Sequence, residues 1–214
     1  MSNYALNKSQ YKNHVGSHVA VGCRSEELNV SLTAIPAVWR ALSCLGFADE
    51  AYARYAAEAT YATTNLATFK AIVKKYPGRP RETILRDLVA SQPGNEGKWF
   101  AGAKDAGFFE LAIELANRSP SDPRTLMRGA RDFTVERPEL ALAAGMTALR
   151  GITNGWGYDI TGIDVLDAYA AVMTAAGAAS VDESVVKAEV RALIATSRSG
   201  GEFVGQILKH SLED

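Results

Sequence analysis

Cysteine and histidine are scarce in this sequence, which has two cysteines and three histidines among 214 residues. Two cysteines are too few for a disulfide framework, and three histidines leave few candidates for a general base. Charge of one sign is also missing: the formal net charge is −1, so the whole chain has no electrostatic attraction to nucleic acid or to an anionic membrane. No apolar run approaches the ~20 residues of a membrane span. We therefore expect a cytoplasmic protein with reduced thiols and no membrane partner.

Motifs of the common enzyme classes are absent as well. The chain contains no HExxH, GxSxG, CxxC or GxxxxGK(S/T) pattern. These absences remove the usual zinc proteases, α/β-hydrolases, dithiol oxidoreductases and P-loop nucleotide-binding proteins. They leave the question of an enzyme open but favour a non-enzymatic protein. From the sequence we assign no catalytic residue, no cofactor and no metal site.

The pattern of apolar residues changes near residue 30. Residues 1–30 are mostly polar, and we interpret them as an irregular N-terminal arm. In residues 31–214 apolar residues recur three and four positions apart, which predicts a single all-helical domain. Capping residues, prolines and glycines divide this domain into about ten helices. The boundary signals are Asp49, Pro77-Gly78, Pro93-Gly94, Asn95, Gly107, Asp122-Pro123, Asp182 and a capping box of Thr161 with Asp164.

The short connections predict that neighbouring helices pack antiparallel. Helix starts fall in pairs roughly thirty residues apart, which predicts helix pairs stacked as a short α-solenoid; a compact multi-helix bundle is the alternative. The segment AGFFELA at residues 106–112 resembles the turn between the two helices of a tetratricopeptide-type repeat, and GFADEA at 46–51 is similar to it. This resemblance implies a helical-repeat architecture with a concave surface that binds a protein or peptide.

Residues in the middle of each apolar stripe are the expected core. A stripe buries its central positions first when a helix packs on its neighbours. The residues predicted to be largely buried are Trp39, Phe69, Leu88, Trp99, Leu111, Phe133, Leu166 and Leu193.

A stripe of three arginines is the best-formed candidate site. Arg124, Arg128 and Arg131 are spaced four and three apart, on the side of their helix opposite its apolar residues. Such a stripe binds carboxylates or phosphates of a partner, or it forms ion pairs inside the protein. The internal partners would be Glu110, Glu114 or Glu139. We favour the internal, structural interpretation.

A glycine-rich stretch at residues 151–158 predicts a loop, because glycine weakens a helix. It contains two aromatic residues, Trp156 and Tyr158. Exposed aromatic side chains on a loop are contact anchors for a partner, whereas buried ones fill the gap between helix pairs. We favour the buried arrangement.

Two groups of metal-binding residue types occur in the chain. His14, His18 and Cys23 are a zinc candidate, although no fourth ligand follows them. The second group, a Mg²⁺ candidate, is Asp159, Asp164 and Asp167. A polar arm explains the first group and helix capping explains the second, so we predict no metal at either.

The leading functional hypothesis is a non-enzymatic helical-repeat module that binds a protein or peptide. Its candidate contact residues are Arg124, Arg128, Arg131, Trp156 and Tyr158. The second hypothesis is nucleic-acid binding or repair by a basic face, which the near-zero net charge disfavours. The third is an enzyme with Asp159 and Asp164 in a cleft. The basic face of the second hypothesis adds to the arginine stripe Lys70, Lys74, Lys75, Arg79 and Arg81.

Overall fold

The computed structural model describes residues 47–59, 62–197 and 199–213, together with positions 38 and 41. Within these ranges the chain forms ten α-helices, a short 3-10 helix and no β-strand, which confirms the predicted all-α class. None of these ten helices is long and apolar enough to cross a membrane. They are α1 (Ala48–Ala59), α2 (Asn65–Lys75), α3 (Arg81–Ala90), α4 (Phe100–Ala106), α5 (Phe109–Arg118), α6 (Pro123–Phe133), α7 (Pro138–Thr153), α8 (Gly162–Ala178), α9 (Glu183–Thr196) and α10 (Gly201–Leu212), and the 3-10 helix Glu96–Trp99 precedes α4.

Several predicted boundary signals act as helix caps. At the start of α6 the backbone N–H of Thr125 donates to the Asp122 carboxylate at 3.0 Å. At the start of α8, Thr161 and Asp164 form the predicted capping box, in which each side chain accepts from the other residue's backbone N–H. Gly107 ends α4 with a φ of 86°, in the left-handed region that favours glycine. These local contacts fix where the helices of the site begin and end.

Two predicted boundaries are wrong. Asp49 lies inside the first turn of α1 rather than at its cap. The predicted loop at residues 151–158 begins later, because α7 continues through Thr153. Gly151, Ile152 and Thr153 are all buried there. Tertiary packing of this last turn therefore outweighs the low helix propensity of glycine.

The helices from α4 onward alternate between two rows. In one row α4 contacts α6, α6 contacts α8 and α8 contacts α10; in the other α5 contacts α7 and α7 contacts α9. Helices that follow each other in the chain contact across the rows, as α6 does with α7 and α7 with α8. The starts of α6 and α8 lie side by side, since Arg124 bonds Asp164. At the other end of the described chain, α2 packs on α1, α3 and α4.

The predicted core is confirmed in part. Phe69, Leu88 and Trp99 are buried, and Leu111 and Leu193 pack against the core while remaining partly exposed. Phe133 is likewise partly exposed, and Trp39 lies outside the described residues.

Leu166 is the clear error, because 46% of it is exposed. Helix α8 is apolar on nearly every side, so its sequence pattern does not identify the inner face. The structure buries Val165, Ala168 and Val172 instead.

Candidate functional site

An open cleft of about 550 Å³ lies between α4 and α6 and is bordered by the start of α2. Its floor is apolar, with the buried Phe100 and the partly exposed Leu66 and Ala101. Its rim carries three basic and three acidic side chains. The residues that line it are Thr64, Asn65, Leu66, Gly97, Lys98, Phe100, Ala101, Lys104, Asp105, Ser121, Asp122, Thr125, Arg128 and Asp132.

A buried glycine joins two walls of this cleft. The N–H of Gly97 donates to Ser119 Oγ at 2.8 Å, and Ser121 Oγ donates to the carbonyl of Gly97 at 3.1 Å. A Cβ at Gly97 would collide with the backbone oxygen of Ser119 and would lie 2.8 Å from that of Pro120. Glycine is therefore required where the 3-10 helix meets residues 119–121, and this contact positions the segment that leads into α6.

Each acidic side chain of the cleft has a partner within the protein. Asp132 pairs with Lys104 at 3.1 Å. The Asp105 carboxylate lies 2.8 Å from Lys70. Asp122 is the cap of α6 and accepts from both the N–H and the hydroxyl of Thr125. The carboxylates of the cleft are thus occupied by internal contacts.

Two cations of the cleft lack a carboxylate partner among the described residues. The Lys98 ammonium has no hydrogen bond or ion pair there. The Arg128 guanidinium makes only one long hydrogen bond, to Thr125 Oγ1 at 3.4 Å. Both side chains are exposed. In addition Nδ2 of Asn65 is buried without an acceptor in the described part of the chain. The cleft therefore presents donors and positive charge that its own acids do not satisfy.

Arg124, the first arginine of the predicted stripe, is fully engaged inside the protein. Its Nε and Nη2 donate to the two oxygens of Asp164 at 2.8 and 3.0 Å. Nη2 also donates to the carbonyl of Asp159 at 2.9 Å. The structural interpretation thus holds for Arg124, with Asp164 in place of the glutamates that we predicted as partners.

The Arg124–Asp164 contact also determines the protonation of Asp164. Hydrogen bonds from Arg124, and then from the backbone and hydroxyl of Thr161, hold the pKa of Asp164 well below its ordinary value. The same contact raises the pKa of Arg124. Asp164 is therefore an ionised acceptor that closes the start of α8, rather than a general acid or base.

Arg131 faces a second, smaller hollow of about 350 Å³ between α6 and α8. This α6/α8 hollow is lined by Thr134 beside Arg131 and, from α8, by Asp167, Ala170, Ala171 and Thr174. Neither Arg131 nor Asp167 forms an ion pair with a described residue. The arginine stripe is thus divided: one member is structural, and the other two face separate hollows.

The two aromatic residues of the loop after α7 have different environments. The N–H of Trp156 donates to the carbonyl of Gly151 at 2.8 Å. Its ring lies 3.4 Å from where a Cβ of Gly151 would be, so Trp156 packs against the end of α7, although it is only partly buried. Tyr158 is 83% exposed, contrary to the buried arrangement. The role of Tyr158 as a contact anchor stays a prediction.

Metal-binding groups are not formed in the described ranges. No cluster of three or more His, Cys, Asp or Glu side chains occurs in the described part of the chain. Asp164 is occupied by Arg124, as above. The zinc candidate of His14, His18 and Cys23 lies outside the described residues.

Sequence reasoning missed the cleft itself and most residues around it. Lys98, Lys104 and Asp132 lie on different elements, and only the packing of α4 on α6 brings them together. The one available signal was Arg128, which the stripe had identified.

Comparisons of the chain with protein-family models, with curated proteins and with solved structures gave no match.

Proposed function

We propose that this chain is a non-enzymatic binding module of the α-solenoid type, and that the α4/α6 cleft binds a short peptide carrying an acidic side chain. The observation that carries the proposal is the pair of exposed cations, Lys98 and Arg128, which lack carboxylate partners beside an apolar floor. An acidic side chain of a peptide supplies the acceptors that these two donors need.

The alternation of helices between two rows supports the solenoid part of the proposal. In an α-solenoid, successive helix pairs stack so that the first helices of all pairs form one surface. Here α4 contacts α6 and α6 contacts α8, and the α4/α6 cleft lies between the first two of these helices. We place the binding face of the module at this cleft.

The mixture of charges at the cleft favours a peptide over a nucleic acid. A polyanion would meet Asp105, Asp122 and Asp132 on the same rim. Three of the five remaining basic residues of the nucleic-acid hypothesis are also ion-paired: Lys70 and Arg81 lie within 4 Å of Asp105, and Arg79 pairs with Asp49. A peptide with a single carboxylate among apolar residues meets much less of this repulsion than a polyanion does.

The enzyme hypothesis has the least support. Its two proposed carboxylates, Asp159 and Asp164, line neither hollow. Asp164 is held ionised by Arg124, which leaves it no proton to donate at neutral pH.

Selection from random peptides displayed on phage tests the proposal. We expect enriched peptides to combine an Asp or Glu with neighbouring apolar residues. Fluorescence anisotropy should show that Lys98→Glu and Arg128→Glu each weaken their binding about tenfold or more, the size of one lost charge-assisted hydrogen bond. Lys209→Glu is the matched control, since it makes the same charge change at an exposed position of α10 and should leave binding unchanged.

Three results would overturn the proposal. One is the absence of enriched peptides. Another is binding that both cleft variants leave intact. The third uses a labelled single-stranded DNA oligonucleotide as probe: binding that is lost in both variants and falls steeply with salt concentration would assign the cleft to nucleic acid.

A further inference from the structure

Helix α8 has an exposed surface that is separate from the α4/α6 cleft and borders the α6/α8 hollow. Ile163 is 72% exposed and Leu166 46% exposed, although both are large and apolar. Further along the same side lie the exposed Ala170, Thr174 and Gly177. We call these five residues and the exposed Asp167 the α8 face. Asp167 is its only charged residue.

The spacing of the α8 face is that of a helix that packs along another helix. Residues 163, 167, 170, 174 and 177 follow one another by four, three, four and three positions. This alternation keeps one seam of a helix in line over several turns. None of the described helices covers this seam, since its members are exposed.

The α8 face is also shaped to fit a second copy of itself. Its first half is bulky, with Ile163 and Leu166, and its second half is small, with Thr174 and Gly177. A Cβ at Gly177 would meet no atom of the described residues within 4 Å, so packing among them does not require a glycine there. When two α8 helices cross antiparallel about a two-fold axis near Ala170, the bulky half of each lies over the small half of the other.

The charges beside this face are complementary under the same symmetry. Arg131 and Asp167 both line the α6/α8 hollow, together with Ala170 and Thr174, so each copy presents one positive and one negative side chain there. With the axis near Ala170, position 167 of one copy lies opposite position 173 of the other, beside the hollow that holds Arg131, so the two-fold brings Asp167 of each copy to the Arg131 side of its partner. Arg131 and Asp167 have no ion pair within the described chain, so both are available.

We propose that the chain forms a two-fold symmetric dimer through the α8 face, closed by two Arg131–Asp167 pairs between the copies. A helix of 17 residues is about 25 Å long, so one face buries less than the ~800 Å² per partner of a standard interface. We therefore expect a weak dimer, with a dissociation constant in the micromolar range. No residue of the α8 face lines the α4/α6 cleft, so this inference is independent of the proposed peptide binding.

Sedimentation velocity of charge-reversed copies tests the dimer. Arg131→Asp and Asp167→Arg each place like charges opposite one another twice, and each should raise the dimer dissociation constant about tenfold or more. A mixture of the two variants restores both opposite-charge contacts. We expect this mixture to dimerise with nearly the wild-type dissociation constant, and Lys209→Glu to behave as wild type.

Rescue in the mixture separates an intermolecular pair from an effect on folding, because mixing the two variants cannot repair a fold that is damaged within either one. Circular dichroism of each variant checks that fold directly. Leu166→Glu, which places a charge on the bulky half, should also weaken the dimer. A wild-type chain that is monomeric at several hundred micromolar would overturn the proposal, as would a mixture of the two variants that remains monomeric.

Discussion

The arginines of α6 differ along the helix in whether they have partners within the protein. At the first turn, Arg124 donates to both oxygens of Asp164 and to the carbonyl of Asp159. One and two turns later, Arg128 and Arg131 are exposed and have no carboxylate partner among the described residues. A guanidinium that is saturated by its own chain maintains the fold, and one that is left unsaturated is available to a ligand.

The cause of this difference is the separation between α6 and its neighbours along its length. The start of α6 lies against the start of α8, where the capping carboxylate of Asp164 and the carbonyl of Asp159 converge. Farther along, the α6/α8 hollow opens beside Arg131, and the α4/α6 cleft opens beside Arg128. Identical side chains at helical spacing therefore acquire different roles from the helices beside them.

The largest effect on stability is expected at Leu126, which anchors the middle of α6. Leu126 lies between Arg124 and Arg128 and is fully buried. Leu126→Ala should lower the free energy of unfolding by about 2–5 kcal/mol, because a buried leucine leaves a cavity when truncated. Urea denaturation measures this loss. Val135→Ala, at a position 91% exposed just after α6, is the control and should change little.

A smaller effect should distinguish the two ends directly. Arg124→Ala removes three short hydrogen bonds to Asp164 and Asp159, and we expect the Tm to fall by a few degrees. Arg128→Ala removes no carboxylate contact and should leave the Tm within about 2 °C of wild type. Differential scanning fluorimetry of the two variants side by side gives the comparison. Equal losses of Tm would contradict the division of the stripe.

The smallest effect is a dependence of the Tm on pH that comes from Asp164, the partner of Arg124. The pKa of Asp164 is lowered in the folded chain, so its stabilisation is complete above the ordinary value of 3.8 and is lost as pH falls toward the folded value. The Tm difference between wild type and Asp164→Asn should therefore be constant near neutral pH and shrink below about pH 4. A difference that does not change down to pH 2.5 would show that Asp164 has no special charge interaction.

The helices themselves could be predicted from the sequence because their signals are local. The capping box of Thr161 with Asp164 and the left-handed Gly107 act within one turn of the chain. The end of α7 could not be predicted in this way, since Gly151 is retained in the helix by Trp156 and the buried residues around it. Leu166 was misplaced for a related reason: α8 is apolar on both sides, and only its neighbours decide which side is buried.

Only the part of the site that lies on a single helix, α6, could be predicted from the sequence. The spacing of the arginine stripe correctly placed three guanidinium groups away from the apolar face of α6. The acid that binds Arg124 lies 40 residues away in the chain, and no local pattern connects them. The cleft likewise depends on Gly97 seating residues 119–121, a contact between segments more than 20 residues apart.

The order of the helices also has a kinetic consequence. Each described helix contacts a neighbour in the chain, and such local pairings need no long loop to close, so we expect them to form first. The Arg124–Asp164 contact joins two alternate helices, so it forms only when α6, α7 and α8 are all in place. We infer that it forms later in assembly than the contacts between neighbouring helices. Interactions that form after the transition state slow unfolding and leave the rate of folding nearly unchanged.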